Sequence, residues 1–398
     1  MRSSSVGTLE EDEPPSRHDN TVVPTAERSS DDPQHGRLLD GEQGKISRIL
    51  LAVSEYGART FGTSIRNVLA RLPREARLDI LVAPQVLDQV SRWLNEAGPG
   101  EVATLIEAPE NLAFSLWTQD LFLAYETAGL AVPPHFQRYQ DLNAAKILAS
   151  GAEVKLGTSS LYFEGGNIIA AGDWLLIGED MLGQNHSDAA TITGKLDPTR
   201  KPVVLGTDLG GAAETRRATE RPEPGWTETI HWRMPEGSRQ PLFHIDLFIS
   251  PAGQGAHGQP RFMVGCPRRG AELLGHSVMP QALADGFDRI AEQLAGHGAE
   301  VIRNPMPLIW KDLPEKKERL WYHLPVNNVL VEDTGPGGKT VWLPSFASET
   351  WPEIQAIDDT NAAIWAMLGY SVIRIPGLMP LAENLGALHC MAKVVERR

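Results

Sequence analysis

Hydrophobic positions along this chain alternate between a helical period and a strand period. The run Ile46 to Val53 is β-branched and leucine-rich, which predicts a buried strand. Ile65, Val68, Leu69 and Leu72 share one helix face and lead into the apolar segment Leu78 to Val82; Val86, Val90, Trp93 and Leu94 repeat the pattern ahead of Val102 to Ile106. The cadence returns late in the chain. Leu283, Phe287, Ile290 and Leu294 line a helix that Gly296 and Gly298 end before Glu300 to Ile302; Ile357, Ile364, Met367 and Leu368 precede Gly369 and the strand Tyr370 to Ile375. Helix-then-strand units separated by hairpins predict an α/β fold of several similar modules, not one doubly wound sheet.

Two stretches break the cadence. Residues 1–44 are rich in Ser, Pro, Asp, Glu and Arg with few clustered apolar side chains, so burial cannot offset the entropy of ordering them, and a disordered acidic tail is expected. Residues 183–240 are dense in Gly, Pro, Thr and Arg with short apolar runs such as Val203 to Leu205. This segment reads as an elaborated module, a lid over a site, or a plain surface insertion.

Composition narrows the function. The chain has 398 residues, 41% hydrophobic and 22% charged, enough for a large core, and it contains no apolar run of spanning length, so a protein without a membrane anchor is expected. A formal charge of −14 disfavours a nucleic-acid partner and suits a small cation, although solubility alone accounts for an acidic surface. With only Cys266 and Cys390, a disulfide framework is ruled out, and a reducing, cytoplasmic location is expected.

Two glycine-rich matches do not carry nucleotide chemistry. Gly253, Gly255 and Gly258 have the dinucleotide-loop spacing, but Pro260 and the strand Phe262 to Val264 follow where a helix N-terminus should receive the phosphates, so a hairpin is expected. Gly338-Lys339-Thr340 imitates the end of a phosphate loop, yet Asp333 stands at the first glycine's place and a strand follows. No metal-ligand spacing is present either.

Four segments carry chemistry. In Phe243-His244-Ile245-Asp246-Leu247-Phe248-Ile249, strand alternation would place His244, Asp246 and Phe248 on one face, with imidazole and carboxylate about 7 Å apart. The pair could equally be a structural hydrogen bond. Phe163-Glu164-Gly165-Gly166-Asn167 reads as strand, tight turn, strand, with glycines that admit close backbone approach. Leu116-Trp117-Thr118-Gln119-Asp120 sets an acid at a loop-strand junction. His389-Cys390 follows a loop near the end of the sequence; a free cysteine is a small hydrophobe or a nucleophile, and Cys266 reads as the former.

Together, Trp117-Thr118-Gln119-Asp120, Phe163-Glu164-Gly165-Gly166-Asn167, His244-Ile245-Asp246 and His389-Cys390, in that order, resemble the guanidino-group-modifying superfamily of the pentein fold. That superfamily includes arginine and agmatine deiminases, dimethylarginine hydrolases and arginine amidinotransferases. The resemblance runs from about Ile46 onward. It implies one catalytic domain over 45–398, a five-bladed α/β propeller of ββαβ-like modules, with an insertion near 183–240. It further implies Cys390 as nucleophile, His244 as acid and base, Glu164 as its catalytic partner, and Asp120, Asp246, Asn167 and Trp117 as substrate-binding residues. Gln119 stands where the superfamily usually has arginine, and the loop 383–388 is poorer in glycine than usual.

Carboxylates match the planar fork of a guanidinium, and a thiolate beside that cation can attack its central carbon. Hydrolytic deimination of a small arginine-like compound to a ureido product and ammonia is the expected reaction, without cofactor or metal. Amidino transfer to an acceptor amine, a non-catalytic binding protein and a cysteine peptidase are the alternatives. Arg216, Arg217, Arg233 and Arg268 are candidates for gripping a substrate carboxylate, and a homodimer is expected.

Overall fold

The computed structural model describes residues 36–98, 103–127, 129–136, 138–207, 215–217, 225–231, 238–275 and 281–398. Among them, five sheets share one topology: an inner strand pairs antiparallel with a second strand, and a helical connection carries the chain to a third strand parallel to the second. The first module runs Leu123–Ala124, Gly129–Val132, helix Asp141–Gly151 and Lys155–Thr158. The second runs Ile168–Ala171, Trp174–Gly178, helices Glu179–Gln184 and Ala189–Leu196, and Lys201–Leu205.

The third module comprises Ile249–Gln254, Pro260–Cys266, helices Pro267–Leu274 and Gln281–Gly296, and Glu300–Pro305. The fourth is Leu330–Asp333, Lys339–Pro344, helix Ile354–Met367 and Ser371–Ile375. A terminal module joins the two ends of the chain. Its inner strand is Lys393–Arg397, antiparallel to Ile46–Val53, from which helix Glu55–Leu69 leads to Arg77–Val82; Ala103–Glu107 adds a further parallel strand. The strand Ile46–Val53 is apolar almost throughout because it is flanked by strands on both edges and buried along nearly its whole length. Ser54 caps the following helix by accepting from the Gly57 amide at 3.1 Å, which contributes about 1 kcal/mol.

The glycine-rich match at 253–258 is the hairpin expected, with Gly253 and Gly258 at φ 80° and 79°. The segment 183–240 needs correction at its first boundary, since residues through Leu205 complete the second module as helix and strand. Beyond it, Thr215–Arg217 and Thr227–His231 join Glu318–His323 and Leu308–Leu313 in a separate four-stranded sheet. No helix among the described residues is long and apolar enough to cross a membrane.

The tail boundary also moves. Residues 1–35 lie outside the described residues, but 36–44 are ordered and touch all five module sheets. Leu39 donates to the Ala124 carbonyl at 2.8 Å, and Gly41 donates to that of Ala170 at 2.7 Å. Glu42 accepts from the Gly253 amide at 2.6 Å, Gly44 donates to the Asp333 carbonyl at 2.9 Å, and the Gly44 carbonyl accepts from Arg397 Nη1 at 3.0 Å. The segment is held by backbone bonds, by polar side chains such as Asp40 and Glu42, and by one buried apolar side chain, Leu38, which is why apolar patterning did not reveal it.

Burial raises the Glu42 carboxyl to about 7, against the pull of the Gly253 amide. The folded protein therefore holds a proton that the unfolded chain loses near pH 4.5, so stability falls as pH rises from there through about 7. Glu42→Gln is expected to flatten that slope and to exceed the wild type by about 2 kcal/mol at pH 8, with little difference at pH 4.5, read by urea unfolding at both values.

Candidate active site

The chemical side chains sit in matching places, each in a turn just ahead of an inner strand. Asp120 lies in the 3-10 turn Thr118–Leu121, Glu164 immediately before the turn Gly165–Asn167, Asp246 in the turn Ile245–Leu247, and Cys390 in the helical turn Leu388–Met391. This corrects the strand expected over 243–249: His244 is extended, Ile245–Leu247 form a 3-10 turn, and the strand begins only at Ile249. His244 and Asp246 still reach one site, through a turn and not through alternation.

Two glycines let neighbouring turns press together. A Cβ at Gly165 would lie 2.0 Å from the Gln119 carbonyl oxygen, and one at Gly166 would lie 2.7 Å from His244 Nδ1 and 2.9 Å from Asp246 Oδ1. Gln119 fastens the first contact by donating to the Gly165 carbonyl at 3.2 Å. Gly165→Ala is expected to lose about 3 kcal/mol in urea unfolding because its obstacle is backbone. Gly166→Ala is expected to keep more stability but to lower turnover about 100-fold, because it displaces His244 or Asp246 from their positions.

His244, Asp120, Asp246 and Cys390 are all buried, while the Glu164 side chain is 19% exposed. His244 Nε2 is 2.8 Å from Glu164 Oε2, and Nδ1 is 3.5 Å from Asp120 Oδ1. Burial opposes the imidazolium, but Asp120 and Glu164 outweigh it and raise His244 to about 9. Burial likewise works against the Glu164 carboxylate, yet His244 and Arg138 hold it below its usual range. Asp120 is pushed up by burial, against the pull of His244 and Arg138. Arg138 donates to Asp120 Oδ2 from both terminal nitrogens, at 3.2 and 3.3 Å, and to Asp141 from Nε at 2.9 Å.

Asp246 Oδ2 meets His389 Nδ1 at 2.7 Å and accepts from Asn328 at 3.1 Å. The same Asn328 amide faces Cys390 Sγ at 3.1 Å, and its Oδ1 accepts from the Cys390 backbone amide at 3.0 Å. Burial, then Asp246 and Asp120, raise the Cys390 thiol well above its ordinary value, so at rest it is protonated. Two carboxylate oxygens, Asp120 Oδ1 and Asp246 Oδ1, are buried without a hydrogen bond.

The remaining expected residues divide. Trp117 packs its ring where a Cβ on Gly386 would fall 2.5 Å from it, so it braces the loop ahead of Cys390. In that loop Leu385 takes φ 63°, a left-handed conformation costing about 1 kcal/mol for a residue with a Cβ. Asn167 instead accepts from Gln240 at 2.7 Å, and Gln240 also holds the Phe243 carbonyl at 2.9 Å. Through Gln240 the Gly165–Asn167 turn is tied to the residue ahead of His244. Arg268 is bonded to Asp285, Asp288 and Gln281, away from the site; Arg216 and Arg217 lie in a strand whose side chains are not described, and Arg233 is outside the described residues. Cys266 is buried in its strand. No cluster of three or more potential metal ligands occurs among the described residues.

Sequence reasoning missed Arg138, Asn328 and the role of His389. Asn328 had a partial signal, because it lies two residues ahead of the fourth module's inner strand at Leu330, where Asp120, Asp246 and Cys390 each lie three ahead of theirs. Arg138 had none.

No family model matches this chain, and no curated protein matches it in sequence. In three dimensions it is similar to a protein described as a candidate agmatine deiminase, with a TM-score of 0.59 and 13% identity over 92% of this chain and 99% of that one. It also aligns with DDAH from Pseudomonas aeruginosa, a cysteine-to-serine mutant complexed with citrulline, at a TM-score of 0.40 and 13% identity over 87% and 98% of the two chains. A third alignment is with a dimethylarginine dimethylaminohydrolase variant as its adduct with S-methyl-L-thiocitrulline, at 0.38 and 12% over 87% and 98%. The chain shares the mixed α/β fold of the first of these. The resemblance to the pentein guanidino-modifying enzymes read from the motifs holds at the level of that fold.

Proposed function

We propose that this chain is a cysteine-dependent hydrolase of the guanidino group of a small arginine-like compound, in the manner of an arginine deiminase. One observation carries the reading: two buried carboxylate oxygens accept no hydrogen bond, Asp120 Oδ1, which lies 3.5 Å from His244 Nδ1, and Asp246 Oδ1, on the carboxylate whose other oxygen lies 4.0 Å from the Cys390 thiol. A buried acceptor without a partner is costly, and a guanidinium supplies N–H donors and the matching charge. The five similar modules support a five-bladed propeller around this pocket.

Binding of the cation favours the Cys390 thiolate, whose sulfur attacks the guanidino carbon. The tetrahedral adduct collapses as His244, held by Glu164, donates its proton to a terminal nitrogen, and ammonia leaves. A thiouronium remains on Cys390. His244, now neutral, accepts a proton from water attacking the same carbon; the carbon–sulfur bond breaks and the ureido product departs with the thiolate restored. Net, one water is consumed and one ammonia released. Asn328 steadies Cys390 throughout, and Trp117 braces the loop that presents it. A free thiol nucleophile suits a reducing compartment such as the cytoplasm.

Purified protein incubated with arginine first, then agmatine and methylated arginines, is expected to yield a ureido compound and ammonia or an amine from at least one of them. Absence of product across all of them contradicts the proposal.

A further inference from the structure

Asn328 is wholly buried, and its side chain meets Cys390 twice. Its Oδ1 accepts from the Cys390 backbone amide at 3.0 Å, and its Nδ2 lies 3.1 Å from the Cys390 sulfur. A backbone amide can only donate, so the oxygen of Asn328 must face it and the NH2 group must face the sulfur. The surroundings therefore fix which way this amide points.

Three acceptors share its two hydrogens. Besides the sulfur, Nδ2 reaches Asp246 Oδ2 at 3.1 Å and the Asp246 carbonyl at 3.3 Å. Asp246 Oδ2 has a further partner in His389 Nδ1 at 2.7 Å. Burial, then Asp246 and Asp120, oppose a negative charge on the sulfur, while the Ala387 backbone amide and Asn328 favour it. Asn328 is thus an uncharged donor among acids. It stands two residues ahead of its module's inner strand, close to where Asp120 and Asp246 stand in theirs, and a carboxylate in its place would repel the sulfur from about the same distance.

We propose that Asn328 is a further catalytic residue, whose amide donates to the Cys390 sulfur and holds the thiolate for attack. It transfers no proton. As the sulfur gains charge it draws one of the two hydrogens away from the neutral Asp246 carbonyl, and Asp246 Oδ2 keeps the other together with its bond to His389. Only the choice of Cys390 as nucleophile is taken from the proposed reaction; the identity of the substrate is not.

Alkylation of Cys390 by neutral iodoacetamide at pH 8, followed on its peptide by mass spectrometry in the full chain, tests the role without a guanidino compound. In Asn328→Leu, which is similar in size and has no polar atom on the side chain, the rate is expected to fall about tenfold, because a hydrogen bond to a charged group is lost and greater intrinsic nucleophilicity recovers only part of the loss. A merely structural Asn328 predicts the opposite sign. Loosening the loop would admit water, and since burial is the main influence keeping the thiol protonated, the sulfur would react faster. Asn328→Asp keeps the side chain's shape and an acceptor for the Cys390 amide, and it too is expected to react roughly tenfold more slowly or worse. This second variant decides the outcome if the leucine variant does not fold. A rate equal to or above that of the wild type in either folded variant overturns the proposal. Slower alkylation in both, beside a wild type that converts no guanidino compound, upholds the role of Asn328 and overturns the guanidino reading alone.

Discussion

Cys390→Ala is expected to lower formation of the ureido product by on the order of 10⁴-fold or more, while guanidino compounds still bind. Binding survives because the resting thiol is neutral, and the groups matched to the cation are the Asp120 and Asp246 oxygens that lack donors. Turnover fails because no other thiol stands beside His244 and Asp246 among the described residues; Cys266 is buried in a strand of the third module. Calorimetric titration beside a product assay separates the two effects. Retained turnover in this variant would remove the thiol from the chemistry.

The second large effect belongs to His244. Replacing it with glutamine keeps a polar group in contact with Glu164 but removes a proton that can be given and taken, a loss of about 10³-fold in turnover. The pH dependence should change with it. For the wild type, kcat/KM is expected to decline as pH rises through about 9, where His244 gives up its proton, and that limb should disappear from the residual activity of His244→Gln. Stability follows the same titration. Because the folded state holds the proton more tightly than the unfolded chain, the stabilisation is complete below about 6.5 and is lost as pH rises through about 9. Urea unfolding of wild type and variant at pH 6 and pH 10 checks this, with the gap between them narrowing at the higher pH.

Much of the module order was legible because each unit has a helix with one apolar face followed by a buried strand, a pattern that survives in sequence whatever the tertiary detail. Phe243 to Ile249 was misread for a physical reason. Ile245, Asp246, Leu247, Phe248 and Ile249 are all buried, so no exposed face exists for alternation to report, and a 3-10 turn satisfies the same apolar spacing as a strand. Residues 36–44 were misread because hydrogen bonds of main-chain groups and of polar side chains such as Glu42 hold them, and such bonds leave no trace in the apolar pattern.

The site residues were legible as types and less so as partners. Cys390, His244, Glu164, Asp120 and Asp246 could be picked out by their order along the chain, and the structure brings them together. That Asp120 is shared with Arg138, or that Asp246 is held between His389 and Asn328, depends on chain reversals and turns that the residues alone do not encode. That Gln240 donates to Asn167 across 73 residues of sequence was equally hidden.

The central claim is that Cys390 becomes covalently bonded to the guanidino carbon. Acid-quenched mixtures of the protein with arginine, agmatine or methylated arginines, digested and analysed by mass spectrometry, test it most directly. The account predicts a substrate-dependent adduct on the Cys390 peptide whose mass is that of the substrate less ammonia or a small amine, and its absence in Cys390→Ala. A bare amidino adduct would point to transfer to an amine; no adduct from any substrate that is turned over would contradict the account.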